Sequence, residues 1–226
     1  MRQTLFIRPA RADEFPAVRA FYHHLTDAMR DAAFPPGWEK DIYPAPAFLR
    51  QAIASRGLFL GLAAGQIAAC MVLDRTGNPD YDKACWPTAR APGEYLVIHA
   101  LGVRPDLAGK GLAGQMVRKA IACARQAGLR TVRLDVLAGN IPAERLYAGQ
   151  GFRYVDTVEM FYADTGRTAF RLYEYALKQY QNDRKSGRLS ISGRKTSAFL
   201  SPRLSRCAAA ASRTAWTGCA CRQWRS

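Results

Sequence analysis

Three glycines crowd the start of a helical pattern in the run Val103-Arg-Pro-Asp-Leu-Ala-Gly-Lys-Gly-Leu-Ala-Gly114. Glycines at such a position leave backbone N–H groups unshielded, and a helix start carries positive partial charge. The combination binds a phosphate or a pyrophosphate. An apolar strand-like stretch with a histidine, Ile98-His99-Ala-Leu-Gly-Val103, leads into this turn. A second strand-like stretch follows and closes on Asn140-Ile-Pro-Ala-Glu-Arg-Leu-Tyr147, then Gly151-Phe152.

Gly109, Gly111 and Gly114 fit the spacing G-x-G-x-x-G, with Asp135 about twenty residues further on, as in a dinucleotide-binding unit. The surroundings disagree. Residues 104–108 separate the first glycine from the strand, where the fingerprint has none. After Asp135 there is room for one short helix, then two strand-like runs, 152–162 and 168–177, joined by Asp164-Thr-Gly-Arg167. That is a hairpin, an antiparallel ending. A P-loop fails because no Gly-Lys-Ser/Thr follows four spacer residues.

Taken together, Leu101-Gly-Val103-Arg-Pro105, Gly109-Lys-Gly111-Leu-Ala113, Asn140, Ala143, Leu146-Tyr147 and Gly151-Phe152 resemble the GNAT family of acetyl-CoA-dependent N-acetyltransferases. The resemblance spans roughly residues 5–177. The family's turn reads Arg/Gln-x-x-Gly-x-Gly/Ala; Gly111 and Ala113 match it, and Ala108 stands where the leading Arg or Gln belongs. The fold implied is α/β (α+β), with a mixed, mostly antiparallel central sheet flanked by about four helices.

The resemblance implies roles residue by residue. The amides of Gly109, Lys110, Gly111, Leu112 and Ala113 surround the pyrophosphate, with Lys110 partly offsetting Ala108. Leu101 and Val103 pair through main chain with the pantetheine, which Asn140 also contacts. Tyr147 is the general acid for the departing thiolate, a task suited to a phenol of pKa about 10. His99 is the candidate base: it has the parity of Leu101 and Val103, sits on a strand similar to the histidine-bearing strand of arylalkylamine acetyltransferases, and titrates near neutrality. Glu94 is a weaker candidate, and His23 and His24 read as solvated. Trp38, Glu39, Tyr43 and Tyr173, with Tyr22, are expected to line the acceptor pocket, where aromatics and a carboxylate suit an amine cation. The reaction expected is direct acetyl transfer to a primary amine of a small molecule, without metal. A protein or peptide acceptor, or a non-catalytic acyl-CoA-binding protein, is the alternative.

Length and charge divide the chain. The 226 residues carry a formal net charge of +15, but residues 1–178 hold 23 Lys and Arg against 17 Asp and Glu, whereas 179–226 hold 10 against 1. Residues 1–178 are therefore read as the catalytic domain. Residues 179–226 lack any sustained period and read as a basic, disordered tail or an accidental extension of the reading frame. A nucleic-acid or membrane-binding arm is the other reading of that segment. Of six cysteines, Cys70 and Cys123 fall in apolar patterns, and Cys219-Ala-Cys221 lacks a partner pair at zinc-site spacing. With no signal-peptide pattern and no apolar run long enough to span a bilayer, a cytoplasmic monomer or homodimer is expected.

The elements that must position these residues follow from periodicity. A strand at 4–8 precedes a helix capped by Asp13, on which Phe15, Val18, Tyr22, Leu25 and Met29 share a face. An aromatic loop, 30–46, leads to a second helix at about 47–55 and a hairpin turning at Ala64-Gly65. A polar loop, 74–93, carries Tyr81, Cys85 and Trp86. Val132, Leu134 and Val136 alternate with Arg133 and Asp135, the pattern of a strand with one buried face.

Overall fold

The computed structural model describes residues 3–88 and 93–177; the basic segment 179–226 lies outside the described residues. Phe6–Pro9 (β1) is followed by helices Phe15–Ala28 (α1) and Pro46–Ala54 (α2), then strands Leu58–Ala63 (β2), Gln66–Asp74 (β3) and Tyr95–Val103 (β4). Helix Leu112–Gln126 (α3), strand Thr131–Leu137 (β5), helix Ile141–Gly149 (α4) and the hairpin Arg153–Tyr162 (β6) and Gly166–Ala176 (β7) complete the order. Among the described residues these strands form one sheet in the order β1-β2-β3-β4-β5-β7-β6, parallel at β4–β5 and antiparallel elsewhere. The expected mixed sheet with four helices is what forms.

Local chemistry explains the boundaries. Ala64 (φ 48°) and Gly65 (φ 76°) both take left-handed conformations, the two-residue turn that matches strand twist in a tight hairpin. The apolar residues Leu112, Met116, Val117, Ala120, Ile121 and Ala124 recur at helical spacing and are all buried on one side of α3. The start of α1 departs from expectation. Asp13 lies in a 3₁₀ turn ahead of α1 and does not cap it. Glu14 organises the turn instead: its carboxylate accepts two hydrogen bonds from the Arg8 guanidinium, at 2.8 and 2.6 Å, and one from the Arg11 N–H at 2.8 Å. The longer Glu side chain reaches back to the Arg8 guanidinium and the Arg11 N–H, which the Asp13 carboxylate does not.

The core lies on both faces of the sheet. Helices α3 and α4 cover one face, burying Leu96, Ile98, Leu112, Met116, Leu134 and Val136 among others. Helices α1 and α2 cover the opposite face over β2–β4, burying Val18, Leu25, Leu49, Leu58 and Leu60. The connection after β3 continues this cover over β5–β7 by tucking Tyr81 and Trp86 against Val97, Met160, Phe170 and Leu172. Strand β5 is therefore enclosed on both faces, contrary to its alternating sequence. Arg133 is buried between the Trp86 and Tyr95 rings, 4.2 and 4.3 Å from their centroids, and pairs with buried Glu174 at 3.2 Å.

The sheet opens where it matters. β4 pairs with β5 only at Tyr95–Val97, opposite Thr131–Arg133. Beyond that point β4 stays with β3, and β5 stays with β7 as far as the Leu137–Phe170 pair. The two parallel strands part like a wedge.

Candidate active site

The wedge holds a cleft of about 710 Å³. Its walls come from α1, the loop after α1, the far half of β4, the glycine turn, the end of β5, α4 and the β6–β7 hairpin.

The glycine turn forms one rim of the cleft. Gly111 (φ 75°, ψ 15°) is the N-cap of α3, and without a side chain it caps nothing. The first-turn N–H groups of α3 thus remain available, no acidic side chain stands in that turn, and a Cβ at Gly109 or Gly111 would meet only open space. This donor set fits a pyrophosphate. Ala108, Gly109, Gly111, Leu112, Ala113 and Gly114 line the cleft, but Lys110 does not. The Lys110 Nζ turns back toward the Asp106 carbonyl at 3.4 Å, so its charge does not replace the arginine or glutamine that Ala108 displaces.

Strand β4 presents its main chain to the opening. Arg104 donates from its N–H to the Ala68 carbonyl on the β3 side. Alternation along the strand then turns the main-chain groups of Val103 and Leu101 toward the gap. Upstream, the pairing slips: Cys70 faces Gly102, whereas Val72 faces His99. The extra β4 residue makes a bulge, with Ala100 at φ 48° and its carbonyl accepting from the Tyr22 hydroxyl at 2.7 Å. The bulge reverses the parity expected for His99. Leu101 and Val103 pack on the α3 side, while Ala100 packs among the α1–α2 residues and the His99 ring lies edge-on to Phe48 of α2.

His99 is consequently absent from the cleft wall. Its Nε2 lies 3.0 Å from an Asp74 carboxylate oxygen and 3.1 Å from the Thr76 carbonyl. Burial acts to lower its pKa, but Asp74, Asp135 and the Thr76 carbonyl outweigh burial and hold it above the ordinary histidine value. Glu94 does not line the cleft either.

Asn140 and Tyr147 do. Asn140 caps α4 by accepting from the Ala143 N–H at 3.2 Å, which leaves its amide N–H groups for the cleft, and Pro142 occupies the first turn. Two turns later, Tyr147 packs edge-on against Phe152, with ring centroids 5.6 Å apart. Burial, and then the charge of Asp135, raise its pKa well above that of a free phenol. It is a phenol that stays protonated at neutral pH.

The opposite end of the cleft is aromatic and acidic. Trp38, Tyr43 and Tyr162 succeed one another along it, with centroids 5.8 Å apart from Trp38 to Tyr43 and 5.9 Å from Tyr43 to Tyr162. Asp135 projects there from β5, accepting from the Tyr81 hydroxyl at 2.6 Å and the Tyr162 hydroxyl at 3.0 Å. Burial raises its pKa above the usual aspartate value, against the opposing pull of Tyr81, His99 and Tyr162. Asp164 and Thr165, at the tip of the β6–β7 hairpin, complete this end.

Three residues expected in the acceptor pocket lie elsewhere. Tyr22 is buried in the α1–α2 core with its hydroxyl bonded to the Ala100 carbonyl, and it does not line the cleft. Glu39 is exposed and off the cleft wall, and only its charge is felt, at Asp164. Tyr173 follows the alternation of β7 to the α4 side, where it packs in the core near Glu144 and Arg171. Asp135, Tyr162, Asp164 and Thr165 take their place. Asp135 is visible in the sequence as a carboxylate in an apolar strand, but its alternation with Leu134 and Val136 reads as solvent exposure. Tyr162, Asp164 and Thr165 carry no comparable signal.

A model of the "Acetyltransferase (GNAT) family" matches residues 19–152, a span that holds the glycine turn, Asn140 and Tyr147. The chain belongs to the GNAT family. A curated relative, a mycothiol acetyltransferase of Streptomyces bingchenggensis (strain BCW-1), is 30% identical over 106 residues, which cover 41% of this chain and 34% of the relative. The match thus spans about a third of the relative's length. Among solved structures, a GNAT acetyltransferase from Streptococcus agalactiae 2603 matches with a TM-score of 0.61 at 18% identity, covering 77% of this chain and 96% of that one. The protein yncA of Salmonella typhimurium, solved with its cofactor acetyl-CoA, matches with a TM-score of 0.57 at 16% identity, covering 79% and 96%. These likenesses establish the GNAT fold. Among the described residues, no helix is long and apolar enough to cross a membrane, and no group of His, Cys, Asp or Glu is clustered to hold a metal ion.

Proposed function

We propose that the chain is an acetyl-CoA-dependent N-acetyltransferase that transfers acetyl directly to a primary amine of a small molecule. The observation that carries this reading is the convergence on one cleft of unpaired α3 N–H groups, the β4 edge, Asn140 and the Tyr147 phenol. In it, acetyl-CoA supplies an acyl group activated as a thioester. The first-turn amides of α3 bind its pyrophosphate, and Leu101, Val103 and Asn140 align its pantetheine.

Tyr147 delivers the phenolic proton to the departing sulfur. Its raised pKa is compatible with that step because the same buried wall also raises the proton affinity of a thiolate. Asp135, rather than His99, receives the proton of the attacking amine, since Asp135 lines the cleft and His99 does not. The Tyr81 and Tyr162 hydroxyls hold the Asp135 carboxylate in place. Trp38, Tyr43 and Tyr162 form an apolar, electron-rich wall for an alkylammonium acceptor. We place the protein in the cytoplasm, as a monomer or homodimer.

The test is thiol release from acetyl-CoA against primary amines, amino acids and short peptides, with acetyl-CoA binding followed by calorimetry. Turnover of a small amine supports the reading. Turnover of peptides alone overturns its acceptor class, and failure to bind acetyl-CoA overturns all of it.

A further inference from the structure

The charges along the cleft are one-sided. Among the described residues its only charged side chains are Asp135 and Asp164, and none of the described lysines, arginines or histidines reaches the wall. This is unexpected beside residues 1–178, where 23 Lys and Arg outnumber 17 Asp and Glu.

The two carboxylates do different work. Asp135 sits on β5 within the field of Tyr147, where the acetyl group must pass. Asp164 stands on the hairpin tip, at the wall formed with the loop after α1. That wall is closely built: Gly37 has φ 79°, and a Cβ there would lie 2.8 Å from the Thr165 Cγ2, so loop and hairpin touch where only glycine fits. Both carboxylates raise the pKa of Tyr43, so its ring lies within electrostatic range of each.

An independent observation marks the Asp164 end as a binding point. The Thr165 Oγ1 is buried without a hydrogen-bond partner, although Thr165 lines the cleft. An orphaned buried hydroxyl carries a desolvation cost that a ligand donor relieves. Asp164 adds a half-buried carboxylate beside it, with the Trp38 and Tyr43 rings on the same wall. Carboxylate, hydroxyl acceptor and aromatic faces together suit a second cation. A carboxylate-bearing acceptor such as an amino acid would instead meet like charge, with no basic group among the described residues of the wall to pair it.

We infer that the acceptor carries two positive groups, the reacting amine at Asp135 and a second ammonium or guanidinium held by Asp164, the Thr165 hydroxyl and the Trp38–Tyr43 wall. The substrate class is thus a linear diamine or guanidino-amine. This inference rests on the acetyltransferase reading above.

The experiment compares three acceptors of matched length on the full chain: 1,5-diaminopentane, n-pentylamine and 5-aminopentanoate, with diamines of three to six carbons to set the span. The diamine of best length should exceed n-pentylamine in kcat/KM by about tenfold or more, as expected for a partly desolvated cation on a carboxylate and aromatic rings. The aminopentanoate should be the poorest. Asp164→Asn should pull the diamine-to-monoamine ratio toward unity, chiefly through KM. Equal use of diamine and monoamine by the wild type overturns the inference, as does no turnover of any diamine while acetyl-CoA binds calorimetrically. A preference that Asp164→Asn leaves intact removes Asp164 from the assignment. Absence of acetyl-CoA binding would instead strike the acetyltransferase reading beneath it.

Discussion

The Tyr81 hydroxyl donates a 2.6 Å hydrogen bond to Asp135 from 54 residues upstream, tying the connection after β3 to the end of β5. With Tyr162 on the other oxygen, Asp135 is fixed at the point where the sheet opens. A carboxylate so placed is both a structural tie and a chemical group, and the two roles separate by titration.

The Asp135 pKa lies above the usual aspartate value, so activity that needs its carboxylate falls as pH drops through that raised value, earlier than for an exposed aspartate. Burial pushes that limb up, and the Tyr81 hydroxyl, the His99 charge and the Tyr162 hydroxyl pull it back. Asp135→Asn keeps an acceptor oxygen for one tyrosine and loses the charge. It should lower kcat/KM by about 10²–10⁴-fold and abolish the acid limb of the pH profile, the range for loss of a positioned base. A profile unchanged in shape would remove Asp135 from proton transfer.

Tyr147→Phe should lower kcat by about 10²-fold or more while acetyl-CoA affinity stays within about twofold, because in the proposed mechanism the phenol acts on the leaving group and not on binding. Calorimetry and single-turnover kinetics read the two effects apart.

Gly111→Ala tests the proposed pyrophosphate rim. The added Cβ meets open space, so the change acts on the left-handed backbone (φ 75°) and on the face offered to the anion. The expected cost is about 1 kcal/mol of stability, with weaker acetyl-CoA binding at unchanged acceptor KM. Thermal melts with and without acetyl-CoA measure the first two, and initial rates the third.

The Arg8–Glu14 pair supplies a stability test far from the chemistry. Arg8, then the Arg11 N–H, against an opposing burial effect, lower the Glu14 pKa from 4.5 to about 2. Its contribution is therefore full above the ordinary glutamate value and is lost as pH falls from about 4.5 toward about 2. Glu14→Gln should destabilise by about 1–2 kcal/mol near neutral pH, the range for a charge-assisted hydrogen-bonded pair, with the difference closing in acid. Urea midpoints at pH 7 and pH 3 provide the comparison.

Much of the geometry of the candidate site is legible in the chain. The turn at Gly109–Gly111 is a local backbone device, and Asn140 and Tyr147 bracket one short helix whose cap and first-turn proline announce its start. Such features depend on residues close in sequence. Parity counting misplaces His99 because it assumes an unbroken strand, and the left-handed Ala100 inserts a residue that no glycine signals. Asp135 reads as the open face of β5 because the cover comes from Tyr81 and Trp86, in a loop with little periodicity of its own. Tyr173 and Glu39 show the same limit. Their type and neighbourhood suggest a pocket, but the register of β7 and the course of the loop after α1 decide otherwise.

The central claim is that this cleft moves acetyl from sulfur to an amine nitrogen. Incubation of the full chain with isotopically labelled acetyl-CoA and 1,5-diaminopentane, followed by mass spectrometry of the acceptor, tests it directly. The account predicts a singly acetylated diamine carrying the label, formed at a much lower rate by Tyr147→Phe. Labelled acetate with no labelled diamine, or intact acetyl-CoA across the full set of amines, would contradict it.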